Sequence, residues 1–204
     1  MSKLVIPRKT IYRLSLYQRA LERLCENSVP TVSSAALAKV AGVKPTQLRK
    51  DLTYFGQFGT RGLGYDVKAL INKLTEVLGT TGLQPVILVG VGHLGSALLR
   101  YQGFAKEGFE VAAAFDQTPV KRRGLGVTVH PMGELEEFVR KKKVKMAILA
   151  VPVQAAQEVA NRLCAAGIQG ILNFSPTILQ PKEGVVVSNV DLAIELENLS
   201  YFIR

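Results

Sequence analysis

Three glycines spaced as Gly90-Val91-Gly92-His93-Leu94-Gly95 carry the most specific chemical signal in the chain. An apolar run at 85–89, too short for a buried helix, leads into them, and an apolar pattern at helical spacing follows. Strand, tight turn and helix in that order form the context in which this spacing binds a dinucleotide. Gly90 permits the turn, Gly92 admits a pyrophosphate to the backbone, and Gly95 allows the helix to pack on the strand. The first helical residues after the turn offer N–H groups and a favourable dipole to phosphates. A second apolar run, 110–115, ends in Asp116, 21 residues after Gly95. A carboxylate there takes the ribose hydroxyls of NAD and repels the 2′-phosphate of NADP, so NADH and NAD+ are the expected ligands. Lys121, Arg122 and Arg123 follow and read as a solvated loop; the alternative is that they accept a 2′-phosphate. Without a ligand the same residues would form only a tight turn between strand and helix.

Composition sets the bounds. A chain of 204 residues, 48% hydrophobic, holds one large domain or two modest ones with ample core. It contains no run of 18 apolar residues and begins without an apolar signal core, so the expectation is a cytoplasmic protein with no membrane partner. Cys25 and Cys164 sit in helical patterns and read as core thiols, with neither a disulfide framework nor metal-ligand spacing; no metal is expected. The net charge of +10 is unevenly spread. Residues 1–84 carry 13 Lys and Arg against 5 Asp and Glu, whereas residues 85–204 carry 13 against 11. A basic module ahead of the glycine motif points to nucleic acid.

The module has the organisation that such binding needs. Positions 11, 14, 17, 21 and 24 are apolar and predict an amphipathic helix over 10–26. Ser34 is the expected cap of a short helix over 35–41, stopped by Gly42, and Pro45 opens another over 45–55. The latter turns Leu48, Leu52 and Phe55 inward and leaves Thr46, Gln47, Arg49, Lys50, Thr53 and Tyr54 on its other faces. Two short helices about a glycine-containing turn make a helix-turn-helix, with the second the candidate for a major groove. Gln47 and Arg49 can reach base edges, while Lys50, Thr46 and Tyr54 suit phosphates. The bland alternative is a three-helix bundle with a solvated face. Residues 56–65, glycine-rich with Phe58, Leu63 and Tyr65 interleaved, predict a β-ribbon with Arg61 near its tip, which completes a winged helix. A helix over 66–78 and a joint over 79–85 close this part.

Past Asp116, strands are expected at 127–130, 145–151, 168–174 and 184–188, with helices at 133–142 and 153–166. Such alternation implies a parallel sheet covered on both faces. The basic run 140–143 is expected to complement a helix dipole. The tail over 190–203 is apolar on more than one side and needs a partner surface, for which a second subunit is the natural source.

Taken together, the chain resembles the Rex family of bacterial redox-sensing transcriptional repressors. The resemblance covers essentially the whole length and rests on Leu48-Arg-Lys-Asp-Leu-Thr-Tyr-Phe-Gly56, Phe58-Gly-Thr-Arg-Gly-Leu-Gly-Tyr65, Gly90-Val-Gly-His-Leu-Gly-Ser-Ala97, Ala165-Ala-Gly-Ile-Gln-Gly-Ile-Leu-Asn-Phe174 and Val190-Asp-Leu192. It implies an α/β homodimer: a winged helix-turn-helix domain over 1–80, a Rossmann-type doubly wound parallel sheet over 85–189, and a domain-swapped dimerisation helix over 190–204. The function it implies is repression through inverted-repeat operator DNA, relieved by NADH, with NAD+ competing without releasing DNA. By motif, Arg49, Lys50, Gln47 and Tyr54 fall on the recognition helix and Arg61 on the wing. Tyr101 matches a tyrosine that moves as the nicotinamide enters, and Arg19 and Asp191 match an interdomain polar pair. On the residues alone, Tyr101 reads as a core aromatic and Arg19 as a surface charge. Leu192 stands where some members place a phenylalanine near the nicotinamide.

Two other readings use the same residues. An NAD-dependent dehydrogenase would need an acid–base pair, yet His93 lies in the glycine turn and His130 beside Pro131, the only two imidazoles in the chain. A regulator gated by coenzyme A or another adenine nucleotide would keep the sheet and depend less on Asp116.

Overall fold

The computed structural model describes residues 6–60, 62–118 and 124–203. The chain divides into two compact units, Met1–Gly82 and Leu83–Arg204. In the first, helix α1 (Arg8–Glu26) turns Leu14, Tyr17, Ala20 and Leu21 inward, and the side chain of Asn27 closes its end by donating to the carbonyl of Arg23. Strand β1 (Thr31–Val32) follows, then α2 (Ser34–Val40), α3 (Pro45–Thr53), β2 (Gly59–Thr60), β3 (Gly64–Asp66) and α4 (Val67–Leu78). Leu37, Leu48, Leu52, Val67, Leu70 and Leu74 pack against α1 in one apolar core.

Several local expectations shift here. The cap of α2 is Ser33, not Ser34: the Ser33 hydroxyl accepts from the Ala36 N–H at 3.1 Å, and Ser34 is already helical. Helix α3 stops at Thr53, so Tyr54 is its C-cap and Phe55 lies in the following turn. Strand β1 carries no alternating pattern because it has two residues; it is created by pairing with β3, Val32 opposite Tyr65. Strand β2 pairs on the other side of β3, Thr60 opposite Gly64, and forms the expected ribbon. Arg61 lies outside the described residues, as do Lys121, Arg122 and Arg123. Helix α4 is capped by Asp66, whose carboxylate accepts from the Ala69 N–H at 2.7 Å, a bond of the kind worth about 1 kcal/mol.

The second unit alternates strand and helix. Strand β4 (Gln84–Val89) leads through the glycine turn to α5 (His93–Leu99), then α6 (Gly103–Lys106), β5 (Phe109–Asp116) and β6 (Val129–Pro131). After a 3-10 turn, Met132–Glu134, come α7 (Leu135–Lys142), β7 (Met146–Leu149), α8 (Val153–Ala166), β8 (Gly170–Asn173), β9 (Val186–Asn189) and α9 (Leu192–Phe202). Helix α7 thus begins two residues later than its pattern suggests, and β6 begins at Val129, not at 127. The six strands run in parallel in the order β6-β5-β4-β7-β8-β9. Counted along the chain this is 3-2-1-4-5-6, the doubly wound order whose direction reverses between the first and fourth strands, here β4 and β7. Ile87, Val89, Phe115, Leu149 and Ile171 meet α7 and α8 on one face of the sheet; Val86, Leu88, Ala114 and Ile148 form a second cluster, against which Leu98, Leu99 and Phe104 pack. Cys25 and Cys164 are half-buried at the margins of the two main cores. Within the chain α9 buries none of its residues.

Candidate functional site

The turn after β4 shows why glycine stands at each position. Gly90 has φ +97°, and a Cβ there would lie 2.4 Å from the Ala150 carbonyl oxygen on the neighbouring strand's continuation. A Cβ on Gly95 would lie 1.8 Å from the Gly90 carbonyl oxygen, so any side chain would push α5 off the sheet. Gly92 differs from both: its Cβ would meet nothing within 4 Å. It is the N-cap of α5, and the first-turn N–H groups of a helix have no intrahelical partner. Open space at the one glycine that is not packed fits a bound pyrophosphate.

That space belongs to a cleft of about 560 Å³ at the carboxyl ends of the strands, where the strand order reverses. Gly90, Gly92, His93, Leu94 and Asp116 line one side, Val151, Ala155, Glu158 and Arg162 the other. Val91 is buried beneath, and its N–H donates to Asp116 Oδ2 at 2.7 Å. The Thr118 N–H donates to Asp116 Oδ1 at 2.9 Å. Asp116 is half-buried at the end of β5. It therefore does two things: it fixes the glycine turn, and it keeps acceptor capacity on both oxygens for hydroxyl donors. Negative charge at this spot suits a ribose and opposes a phosphate.

Helix α8 forms at its expected bounds, but the ion pair it carries has no signal in the sequence. Arg162 donates to Glu136 at 2.7 and 3.0 Å and to the Met132 carbonyl at 2.6 Å. That hydrogen bond, outweighing partial burial, holds the Glu136 carboxyl below its ordinary range and raises Arg162. The pair ties α7 to α8 beside the cleft. Its partners lie 26 residues apart with no local pattern to connect them. Tyr101 follows α5 and is 61% exposed, its ring edge-on to Phe104 at 5.1 Å, so it is not the core aromatic that its residue type suggests.

In the first unit, α3 leaves Thr46, Arg49 and Lys50 exposed, with Tyr54 half-buried past its end. Arg49 Nη1 donates to Ser34 Oγ at 2.9 Å, which links the helix to the start of α2. The Gln47 side-chain amide donates to Asp51 Oδ1 at 2.9 Å, one turn along the same helix. Asp51 is fully buried. Arg13 reaches it through Nε at 2.5 Å and Nη2 at 2.7 Å, Tyr17 Oη at 2.7 Å and Thr10 Oγ1 at 3.2 Å. Burial alone would push the Asp51 carboxyl up, but the bonds from Arg13, Tyr17 and Gln47 prevail and its pKa lies below the ordinary range. Burial and the bond to Asp51 push the Tyr17 phenol well up. This cluster, spanning 34 to 41 residues of sequence, docks the candidate recognition helix on α1.

Arg19 is exposed on α1. Asp191 is the N-cap of α9, its Oδ1 accepting from the Ala193 and Ile194 N–H groups at 2.9 and 3.4 Å. Leu192, Ile194, Leu196, Leu199, Tyr201 and Phe202 are each more than half exposed.

Comparison with known proteins agrees with this geometry. A family model described as "Putative DNA-binding protein N-terminus" matches residues 5–53, and one described as "CoA binding domain" matches residues 81–177. The redox-sensing transcriptional repressor Rex of Streptomyces coelicolor is 49% identical over 198 residues, covering 96% of this chain and 77% of the relative. That of Carboxydothermus hydrogenoformans is 47% identical over 201 residues, 98% and 97% of the two chains. Among solved structures, RSP in complex with β-NAD+ and operator DNA aligns with a TM-score of 0.91 at 37% identity, over 98% of this chain and 94% of that one. RSP in complex with β-NADH aligns with a TM-score of 0.85 at 36% identity, over 98% and 95%. At such identity over nearly its full length, the chain belongs to the Rex family of redox-sensing transcriptional repressors.

Proposed function

We propose that the chain acts as a homodimer that binds inverted-repeat operator DNA and leaves it when NADH fills the cleft above Gly92, so that transcription follows the NADH/NAD+ ratio. The observation that carries this reading is the union, in one chain, of a basic helix-turn-helix with an open glycine turn whose carboxylate selects a ribose. Structures of the related RSP with NAD+ and operator DNA and with NADH support the same pair of ligands.

In this reading Thr46, Gln47, Arg49, Lys50 and Tyr54 meet DNA, with Arg61 on the wing, and Gln47 also holds their helix through its bond to Asp51. Gly90, Val91, Gly92, His93, Leu94 and Gly95 form the phosphate turn, Asp116 holds the ribose, and Tyr101 responds to the nicotinamide. Residues 1–80 are the DNA-binding domain, 85–189 the nucleotide domain and 190–204 the dimerisation helix. The apolar side chains of α9, unburied within the chain, supply the reason for a partner subunit. Arg19 and Asp191 form the polar pair that couples the domains, with Asp191 capping its helix besides. The site of action is the cytoplasm.

A switch of this kind requires that NADH bind the DNA-incompetent arrangement more tightly than the competent one. A hundredfold loss of operator affinity corresponds to about 2.7 kcal/mol of coupling, within the usual range. The chain is a regulator with no turnover of its own. His130 is engaged with Glu134 at 2.8 Å, and His93 opens α5 in the glycine turn. Fluorescence anisotropy of an inverted-repeat fragment that the protein selects from genomic DNA tests the reading, with NADH, NAD+ and NADPH titrated at one salt concentration. Release by NADH alone is expected. Indifference to all three would point to another adenine ligand, and steady NADH oxidation with hydroxy acids, alcohols or aldehydes would make the protein a dehydrogenase.

A further inference from the structure

Asn173, the last residue of β8, is fully buried and sits where three segments meet. Its side-chain oxygen accepts from the Ser175 N–H at 3.0 Å. Its amide nitrogen faces three acceptors: the carbonyls of Ser175 at 3.2 Å and Thr177 at 2.9 Å, and Asn189 Oδ1 at 2.9 Å. Its main-chain carbonyl accepts from the Val190 N–H at 2.8 Å.

These bonds lead in two directions. Toward the cleft, Phe174 is part of the lining, and the Ser175 hydroxyl donates to the carbonyl of Val151, another lining residue, at 2.6 Å. Toward the tail, Asn189 ends β9, and Val190 and Asp191 are all that separate it from the start of α9. We infer that Asn173 is a positioning residue that couples the Phe174 wall of the cleft to the root of α9. The inference rests on the repressor reading and adds to it the route by which the cleft is felt at the tail.

The chemistry of the group fits that task. An amide nitrogen has two protons, and here three oxygens compete for them. When residues 174–177 shift, one bond to Asn173 can be exchanged for another without stranding a buried polar group, the costly outcome in a fixed network. An aliphatic side chain could fill the same space at the end of β8 but would leave the 174–177 segment and Asn189 unconnected. A neutral junction with one more acceptor than it has protons permits more than one pairing of the same groups, which is what a bistable element needs.

The test uses Asn189, which is exposed and outside the cleft, so that folding and the ligand site are spared. In the full-length protein, Asn189→Ala removes the tail-side acceptor, while Asn189→Asp keeps an oxygen there. Three quantities are measured for wild type and both variants: operator affinity alone, operator affinity with saturating NADH, and NADH affinity of the free protein. The expected result is at least a threefold smaller NADH-induced change in operator affinity for Asn189→Ala, with NADH affinity within twofold of wild type and the change restored in Asn189→Asp. Undiminished coupling in Asn189→Ala overturns the inference and leaves the repressor reading standing. Loss of NADH affinity in proportion to coupling also overturns it, since the cluster would then only build the cleft. Wild-type protein whose operator affinity ignores NADH defeats the repressor reading itself, before any variant is compared.

Discussion

Asp51 and Asp116 are both aspartates at or near the ends of regular elements, and both accept backbone or side-chain hydrogen bonds, yet their tasks differ. Asp51 receives both nitrogens of a guanidinium fork, a phenol, a hydroxyl and an amide, and is shut away from water. Asp116 receives two main-chain N–H groups and remains half-exposed beside a cleft. A carboxylate accepts at about four lone-pair positions. The first is saturated by its own protein, the second is left with capacity to spare. A fully satisfied charge holds a fold together; a partly satisfied one at the mouth of a cleft is available to a ligand. The contrast sorts the two without reference to motif.

The strongest way to break the comparison is to remove the saturated group. Asp51→Ala leaves Arg13 charged against a buried face, and breaking a buried pair of this kind costs about 3–5 kcal/mol. Urea denaturation followed by tryptophan-free probes such as circular dichroism should show the first unit losing that much stability. Acid sharpens the same point. The folded pKa of Asp51 is depressed, so its stabilisation is fully present above the unfolded carboxyl range, around 4, and is lost as pH falls through the lower folded value. The variant should therefore lose stability less steeply below about pH 4 than wild type does.

Removing the unsaturated carboxylate should do the reverse. Asp116→Ala is expected to weaken NADH by roughly ten- to a hundredfold, as for loss of hydrogen bonds to a charged acceptor, while global stability changes by about 1 kcal/mol or less. Calorimetric NADH binding and thermal melts on one sample separate the two effects. Equal losses in both would mean that Asp116 serves the turn more than the ligand.

The smallest effect distinguishes neighbours on α3. Lys50→Ala should lower the slope of log operator affinity against log salt by about 1, the signature of a lost phosphate contact. Gln47→Ala should leave that slope unchanged, since a base-edge group displaces no phosphate counterion, and cost about 1 kcal/mol of stability through the lost bond to Asp51. Operator binding across a salt series, with melts alongside, tests both.

How far each of these features was legible depends on the distance over which it is written. The glycine turn and Asp116 are local patterns, and the strand-turn-helix order around them could be read directly. The bounds of helix α8 are written locally, because Pro152 and Gly167 stand at its caps and apolar residues recur at helical spacing between them. Strand β1 escaped because two residues hold no periodicity; pairing with β3 makes it a strand. The cap of α2 lies one residue before its expected place because Ser33 and Ser34 are equivalent as side chains and only the backbone conformation distinguishes them. Asp51, Arg162 and Asn173 carry no local signal of their roles, for a common reason. Each finds partners 16 to 41 residues away, and nothing in the neighbourhood of any of them announces the meeting.

The packing of Gly90 against Ala150 has a consequence for how the protein is made. Chains emerge from the ribosome N-terminal end first, and domains fold as units in that order. The helices of the first unit draw their core from Met1–Gly82 and need nothing that comes later. The glycine turn, though it follows almost at once, cannot take its final shape until β7 and the segment after it have been synthesised and have inserted beside β4. Parallel pairing across such a span is intrinsically slow. Each new molecule therefore passes through an interval in which its DNA-reading half is complete and its sensor is not.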